Sequence, residues 1–282
     1  MMSEDCDDLH TTYGEPQGKE EAEPKKASAQ IMRHELREAL ASFDRSSSRL
    51  FFSGLSAGLE IGFSLFLMAA LQTLLRDELP AALVTLLVAN MYSFGFILVI
   101  LGRSELFTEQ TSLAVLPVLS GQASCRGLLR LWGIVYVANI LGAALSAGII
   151  AFTGPALGVI APDVFTELGQ HVVQHPPLVI VCSGVLAGWL MGLLSWLVAA
   201  GRDTISQIVI VWMVTATIGV GQLHHSIVGS VEVLAAVFTS TATSPSDFLH
   251  FLLWTTLGNA LGGPLFLALL KFTHARPSES PT

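Results

Sequence analysis

Between Leu50 and Phe272 the chain is a succession of long apolar runs, and that pattern sets the architecture. About 20 consecutive apolar residues cross the hydrocarbon of a bilayer as a helix. In lipid only helices and closed barrels satisfy all their backbone groups. Six spans follow: residues 50–75, 81–101, 128–152, 178–200, 205–239 and 248–272, with the second and fifth broken. Hydrophobic residues make up 52% of the 282 positions and charged residues 13%, where a soluble domain carries about 25% charged residues. With a mean hydropathy of +0.63, the sequence predicts an all-α integral membrane protein with six transmembrane helices and argues against a soluble enzyme.

The two breaks point to function. The first, Gly102-Arg103-Ser104-Glu105-Leu106-Phe107-Thr108-Glu109, puts three charges at the end of an apolar run, and a half-helix is predicted over 111–119. The second is Gly219-Val220-Gly221-Gln222-Leu223-His224-His225, between helical stretches 205–218 and 226–239. Charge and broken helix at membrane depth are tolerated only where they line a cavity or pack inside protein. Two interrupted spans in corresponding positions of two halves are the pattern of a transport site.

Around this six-span domain, residues 49–273, lie polar segments. Residues 1–28 read as a disordered acidic tail: the first 30 positions hold eight acids against three lysines and few aromatics, a composition that cannot bury a core. They contain no apolar core of a secretory signal peptide. Residues 29–48 read as an amphipathic helix, with Ile31, Leu36, Leu40 and Phe43 near one face. Residues 274–282 form a short polar tail. Of the 14 basic residues, seven precede the first span, and Arg126, Arg130, Arg202, Lys271 and Arg276 fall on the same side of the six-span plan. Only Arg76 falls opposite, so the positive-inside rule places both termini in the cytoplasm.

The chain also repeats itself. Ser53-Gly54, Ala57-Gly58 and Gly62 recur 130 positions on as Ser183-Gly184, Ala187-Gly188 and Gly192. Asn139, Leu141, Gly142 and Ala143 recur 120 positions on at Asn259, Leu261, Gly262 and Gly263. The breaks match at a spacing of 117, Gly102, Glu105 and Leu106 against Gly219, Gln222 and Leu223. Three spans per half is an odd number, so the halves, about 49–152 and 178–273, must be inverted in the membrane. The small residues serve close helix packing, and Asn139 and Asn259 are candidates to bond free backbone groups at the breaks.

The spacing of 117 sets Thr108 against His225, a hydroxyl and an imidazole that could bind a small anion in a narrow pore. Histidine also exchanges a proton readily near neutral pH. His224 is read as a neighbour of the pore or its vestibule. Leu106, Phe96 and Ile218 are candidate apolar constrictions, and Phe107 joins them on the resemblance drawn below. Glu232, Glu60, Arg103 and Glu105 are candidates for a proton relay or charge network. Arg103, Glu105 and Glu109 are expected to neutralise one another or to cap the broken helix, with Glu105 read as binding the free N–H groups of the half-helix. Cys6, Cys125 and Cys182 are too scattered for a disulfide framework or metal site, and no metal, cofactor or nucleic-acid partner is expected.

Residues 95–109 with their Glu105-Leu106-Phe107-Thr108 core, His225-Ser226-Ile227, and Gly258-Asn259-Ala260-Leu261-Gly262-Gly263 resemble the formate/nitrite transporter family. The Gly229-Ser230-Val231-Glu232-Val233 run and the acidic tail look like its YfdC-type branch. The resemblance implies an aquaporin-like protomer assembled as a homopentamer in the inner membrane, moving small monovalent anions of weak acids such as formate or nitrite with protons. It implies that His225 and Thr108 bind the anion between constrictions at Leu106, Phe107, Phe96 and Ile218. Where the family carries an acidic residue before the pore histidine this chain has His224, Gly188 stands in place of an asparagine, and Arg103-Ser104 in place of Gly-Ala. No lysine lies between Thr153 and Pro177, where His171 and His175 are the basic residues.

The function expected is therefore a channel or proton-linked transporter, not an enzyme. A neutral-solute pore of the aquaglyceroporin kind would carry Asn-Pro-Ala at both breaks, and neither break has it. An intramembrane metal enzyme using His224, His225 and Glu232 would need a further ligand close by, and the fifth span offers none.

Overall fold

The computed structural model describes residues 26–265. Among them the chain forms twelve helices and no strand. An amphipathic helix, α1 (Ser28–Asp44), lies at one end of the molecule and leads through Ser46, whose hydroxyl accepts from the Arg49 N–H, into α2 (Ser47–Leu75). Next come α3 (Ala81–Met91), α4 (Ser93–Gly102), α5 (Phe107–Leu113) and α6 (Val115–Leu119). A long α7 (Cys125–Ala156) precedes a short α8 (Pro162–Val173). The second half holds α9 (Pro177–Ala200), α10 (Thr204–Val220), α11 (Ser226–Thr239) and α12 (Pro245–Pro264). The acidic tail expected at 1–28 falls outside the described residues up to position 25. At 26–28 it is docked, with the Lys26 ammonium donating to the Ala199 and Gly201 carbonyls at 2.7 and 3.2 Å. The tail at 274–282 also lies outside the described residues.

Four stretches are long and apolar enough to cross a membrane: Ser47–Leu75, Ala81–Gly102, Cys125–Ala156 and Pro177–Ala200. Six were expected. At 17 and 14 residues α10 and α11 each fall short, because the break at 221–225 divides them. The description of α12 stops at Pro264, before the end of the predicted span. The outward positions along these helices are apolar, as at Phe152, Leu178 and Ile205, the exterior of a chain that faces lipid.

Two close helix pairs frame the molecule, α2 with α7 and α9 with α12. Glycine sets both. A Cβ on Gly142 would fall on the Leu55 carbonyl, and one on Gly262 would fall on the Val185 carbonyl. Without side chains there, backbones approach to contact. Between the pairs, α11 is buried on every face from Ser226 to Ala236, the mark of a central helix.

Tyr92 separates α3 from α4, a joint the sequence reading missed. The Ser64 hydroxyl on α2 donates to the Tyr92 carbonyl at 2.7 Å and accepts from the Gly95 N–H at 2.9 Å, replacing helical bonds lost at the joint. The predicted half-helix 111–119 begins earlier, at Phe107, and divides at Ala114. Pro117 accounts for the division, since it has no N–H for the Leu113 carbonyl four residues back.

Candidate functional site

The two breaks are built from the same parts. Arg103 (φ 55) and Gln222 (φ 51) are the non-glycine residues with left-handed backbone among those described, and each ends a helix. Two residues on, the Glu105 N–H donates to the Ser53 hydroxyl and the His224 N–H to the Ser183 hydroxyl, both at 3.0 Å. The Asn139 amide donates to the Gly54 and Glu105 carbonyls, at 2.8 and 2.9 Å, and its oxygen accepts from the Phe107 N–H at 2.8 Å. Asn259 repeats this on Gly184, His224 and Ser226, at 2.9, 3.0 and 2.8 Å. Each asparagine thus satisfies three backbone groups that the interrupted helices leave free.

These bonds correct the spacing read from sequence. Arg103 matches Gln222, Glu105 matches His224 and Phe107 matches Ser226, a spacing of 119 rather than 117. Gly219-Val220-Gly221 offers two glycines to match Gly102, and the second is the structural one. Thr108 and His225 do meet, Oγ1 to Nε2 at 2.8 Å, but they are not equivalent positions. The equivalent of His225 is Leu106: each is the extended residue just before a half-helix.

His225 is held from three sides. Its Nδ1 accepts the Val228 N–H at 3.3 Å, so it caps α11. With Nδ1 acting as acceptor, the neutral ring carries its proton on Nε2 and donates to Thr108 Oγ1. The Phe96 ring stands edge-on to the imidazole, 5.1 Å away at 85°. Thr108, Phe96, Leu106 and His225 are all buried.

Cavities approach this cluster from both ends. One, of about 380 Å³, opens between α2, α3 and α8 and reaches Ile218, His224, His225 and Glu232. The other, of about 460 Å³, lies beneath α1 and reaches Val99, Ser104, Glu105 and Glu109. Phe96 lies on α4 between Tyr92, which lines the first, and Val99, which lines the second; Leu106 and Thr108 fall between Glu105 and Glu109 of the second cavity, and Thr108 reaches His225 of the first.

Residues 29–273 match the family profile described as formate/nitrite transporter. The chain belongs to the formate/nitrite transporter family. It is 34% identical over 261 residues to the inner membrane protein YfdC of Escherichia coli (strain K12), covering 91% of this chain and 81% of that one. It is 27% identical over 234 residues to the nitrite transporter NirC of Salmonella typhimurium, covering 81% of this chain and 84% of that one. Among solved structures it is similar to an FNT family ion channel with a TM-score of 0.78 at 23% identity, covering 88% of this chain and 99% of that one. A pentameric formate channel with formate bound gives a TM-score of 0.70 at 23% identity, covering 81% and 97%. At those identities the likeness speaks for the fold.

In this transporter the candidate residues do not form one network. Arg103 is turned outward, 77% exposed, and its guanidinium donates to Glu38 on α1 at 3.0 Å. The Glu105 carboxylate accepts from Arg45 at 2.6 Å, from Ser42 at 3.1 Å and from the Gln110 amide. Arg103, Glu105 and Glu109 therefore do not neutralise one another, and Glu105 does not cap α5; the oxygen that takes the Phe107 N–H belongs to Asn139. The physical reason is α1, which brings Glu38, Ser42 and Arg45 onto the break. Glu60 accepts from Ser56 at 2.7 Å and Ser104 at 3.0 Å and lines neither cavity. Glu232 faces the α8-side cavity, and no hydrogen bond or ion pair joins it to His225 among the described residues. Phe107 turns toward α7, its ring 4.7 Å from that of Tyr136, away from the cluster expected to narrow the pore. No group of three His, Cys, Asp or Glu among the described residues is arranged to hold a metal ion.

Sequence reasoning missed Ser64, which binds the Tyr92 joint, and the bonding role of Ser53 and Ser183 at the breaks. The latter two sit beside Gly54 and Gly184 in the repeated Ser-Gly pairs, which was the available signal. It also missed Glu35, on the buried face of α1, whose carboxylate accepts from the Ser195 hydroxyl at 2.9 Å. Burial pushes the Glu35 carboxyl up to about 8, the Ser195 bond opposing and nearby Glu38 adding to the rise.

Proposed function

We propose that this chain is a channel or proton-linked transporter for small monovalent anions of weak acids such as formate or nitrite. Its support is one observation: the buried Thr108–His225 pair, flanked by Phe96 and Leu106, stands between two cavities that open at opposite ends. The names of its relatives, a nitrite transporter and formate channels, agree with that chemistry. In this reading the chain is an inner-membrane protein of six spans, the second and fifth broken, with inverted halves, an aquaporin-like protomer and both termini cytoplasmic. The protomers form a homopentamer with one pore each.

The mechanism follows from the tautomer. An anion reaching the end of the α8-side cavity displaces the His225–Thr108 hydrogen bond and accepts from Nε2–H and from the Thr108 hydroxyl. Moving it on as an ion would cost many kcal/mol in so apolar a passage. A proton entering through the same cavity joins it, and the neutral acid passes Phe96 and Leu106 and ionises in the α1-side cavity. Because the Val228 N–H keeps Nδ1 an acceptor, the imidazole returns to the same tautomer after each passage.

Flux of formate and nitrite into proteoliposomes, followed against pH, tests this. Wild type is expected to carry both with a rate that rises as pH falls, and His225→Ala to carry neither appreciably. Absence of flux for every small weak acid in wild type would sink the assignment, and an unchanged pH profile in His225→Gln would remove the histidine from the mechanism.

A further inference from the structure

The α8-side cavity carries groups that the pore mechanism leaves unused. Arg76 is the one Arg or Lys lining it among the described residues, and it is committed: its guanidinium lies 2.6 Å from Asp163, 3.7 Å from Glu167 and 3.9 Å from Asp77. The Arg76 guanidinium in turn holds the Asp163 carboxyl below its ordinary range. The Gln72 amide occupies the other Glu167 oxygen at 2.7 Å, and Glu232 adds a carboxyl deeper in. An anion arriving in neutral solution therefore finds no free fixed cation on these walls.

Three imidazoles stand there instead. The His175 ring lies 5.9 Å from that of His171 and 5.2 Å from that of His224, nearly perpendicular to the latter at 86°. His171 and His224 line the cavity, and His175 stands against both. Two of the three have their ring nitrogens assigned or exposed: His224 donates from Nε2 to the Val172 carbonyl at 3.1 Å and accepts the Ser183 hydroxyl proton at Nδ1, 2.9 Å, while His171 is exposed. His175 differs. Its Nδ1 is buried with no hydrogen-bond partner, an unsatisfied atom of a kind that asks for an explanation.

Imidazolium rings this close repel, so a proton on one opposes protons on the others. Partial desolvation and then neighbouring His175 hold His171 below the ordinary histidine range, against its hydrogen bond with Gln222. An anion seated among the rings removes that repulsion. By linkage, anion and proton then bind each other's site more tightly by the same factor. The surrounding charges act in the same sense. From α2 come Arg76, from α8 Asp163 and Glu167, from the break His225, and from α11 Glu232 beside Tyr92; Asp247 and His250 stand at the exposed start of α12. Acidification adds positive charge among these imidazoles, and the cavity becomes less acidic.

We propose that His171, His175 and His224 form a reception site that takes up one small monovalent oxyanion together with one proton before either reaches His225. The site rests on the weak-acid transport reading and supplies, in proton-dependent form, the positive charge that a fixed lysine would give at all pH values.

The test uses the full chain with formate and nitrite as probes. In proteoliposomes the wild-type KM for formate is expected to fall as pH on the α8 side falls, by up to about tenfold per pH unit for one coupled proton. His171→Gln/His175→Gln should raise KM at acidic pH and flatten that dependence. His171→Lys should give a low KM that no longer follows pH. Formate added to weakly buffered detergent-purified protein should draw about one proton per formate from solution in wild type and in His225→Gln, and none in the double histidine variant. A double variant that keeps the wild-type KM profile, or formate binding without proton uptake in wild type, overturns the reception site. Loss of flux in every form with proton uptake intact overturns the transport reading instead.

Discussion

The two breaks share a scaffold and differ in the side chains it presents. Serine, asparagine and left-handed backbone recur at Ser53, Asn139 and Arg103 and again at Ser183, Asn259 and Gln222. At the residue before the half-helix, however, one break carries Leu106 and the other His225. Two positions on, Thr108 stands where the second half has Ile227, so each break contributes one polar and one apolar partner in opposite order. The scaffold holds two half-helix starts in place at the cluster between the cavities. The exchanged pair makes the cluster one-sided, with one imidazole and one hydroxyl where an exact repeat would give two of one and none of the other. Duplication explains the holding, and divergence explains the chemistry.

The largest effects should come from the scaffold and should be equal in the two halves. Gly142→Leu and Gly262→Leu each drive a side chain into a facing carbonyl, of Leu55 and of Val185. Each is expected to lose more than about 4 kcal/mol, read as failure to yield folded protein in detergent. Asn139→Leu and Asn259→Leu each orphan three backbone groups. At about 1–3 kcal/mol per buried unsatisfied group, the loss is roughly 3–9 kcal/mol in each case, seen as a lowered thermal midpoint. A large inequality between the two asparagine variants would break the equivalence of the halves.

What was legible in the sequence divides along the same line. Glycine and asparagine in repeated order, such as Gly142 and Gly262 or Asn139 and Asn259, report on backbone approach, which is a local demand on residue type. The break itself was misaligned by two positions because glycine at 219 and at 221 fits the same pattern; only the bonds from Asn259 and Ser183 choose between them. The partners of Arg103 and Glu105 were not legible, because they sit on α1 some 60 positions away and are brought in by docking that no local pattern encodes. The start of α5 at Phe107 was misplaced for a related reason: its capping oxygen belongs to α7.

The chemical difference between the breaks should show in flux more than in stability. His225→Leu removes the donor to Thr108 and the cap on Val228. Formate flux is expected to fall roughly 100-fold, while the lost cap costs about 1 kcal/mol. Moving the imidazole to the equivalent position, in Leu106→His/His225→Leu, should not restore flux, because the matching partner there is Ile227 rather than a threonine. Recovery of flux in that swapped variant would mean that the two cap positions are interchangeable and that Thr108 is dispensable.

The smallest effect concerns α1, which is docked by two unlike contacts. Near its end, Arg45 reaches Glu105 in a charged pair; near its start, Glu35 is buried against Ser195. The first contact is an ion pair, whereas the second buries a carboxyl whose charged form desolvation disfavours. Because the docked Glu35 carboxyl sits at about 8 against an ordinary value of 4.5, the docked helix binds more protons than the released one between those values. Docking is therefore favoured at the acid end of that window and weakens as pH rises through it. Glu35→Gln keeps the shape and can hold a hydrogen bond with Ser195 without titrating. Protease cleavage within 26–45, measured from about pH 5 to pH 8.5 across that window, should increase with pH in wild type and stay flat in Glu35→Gln. Equal slopes in the two would remove Glu35 from the pH sensitivity of α1, and the start of the helix would then be held by its apolar face alone.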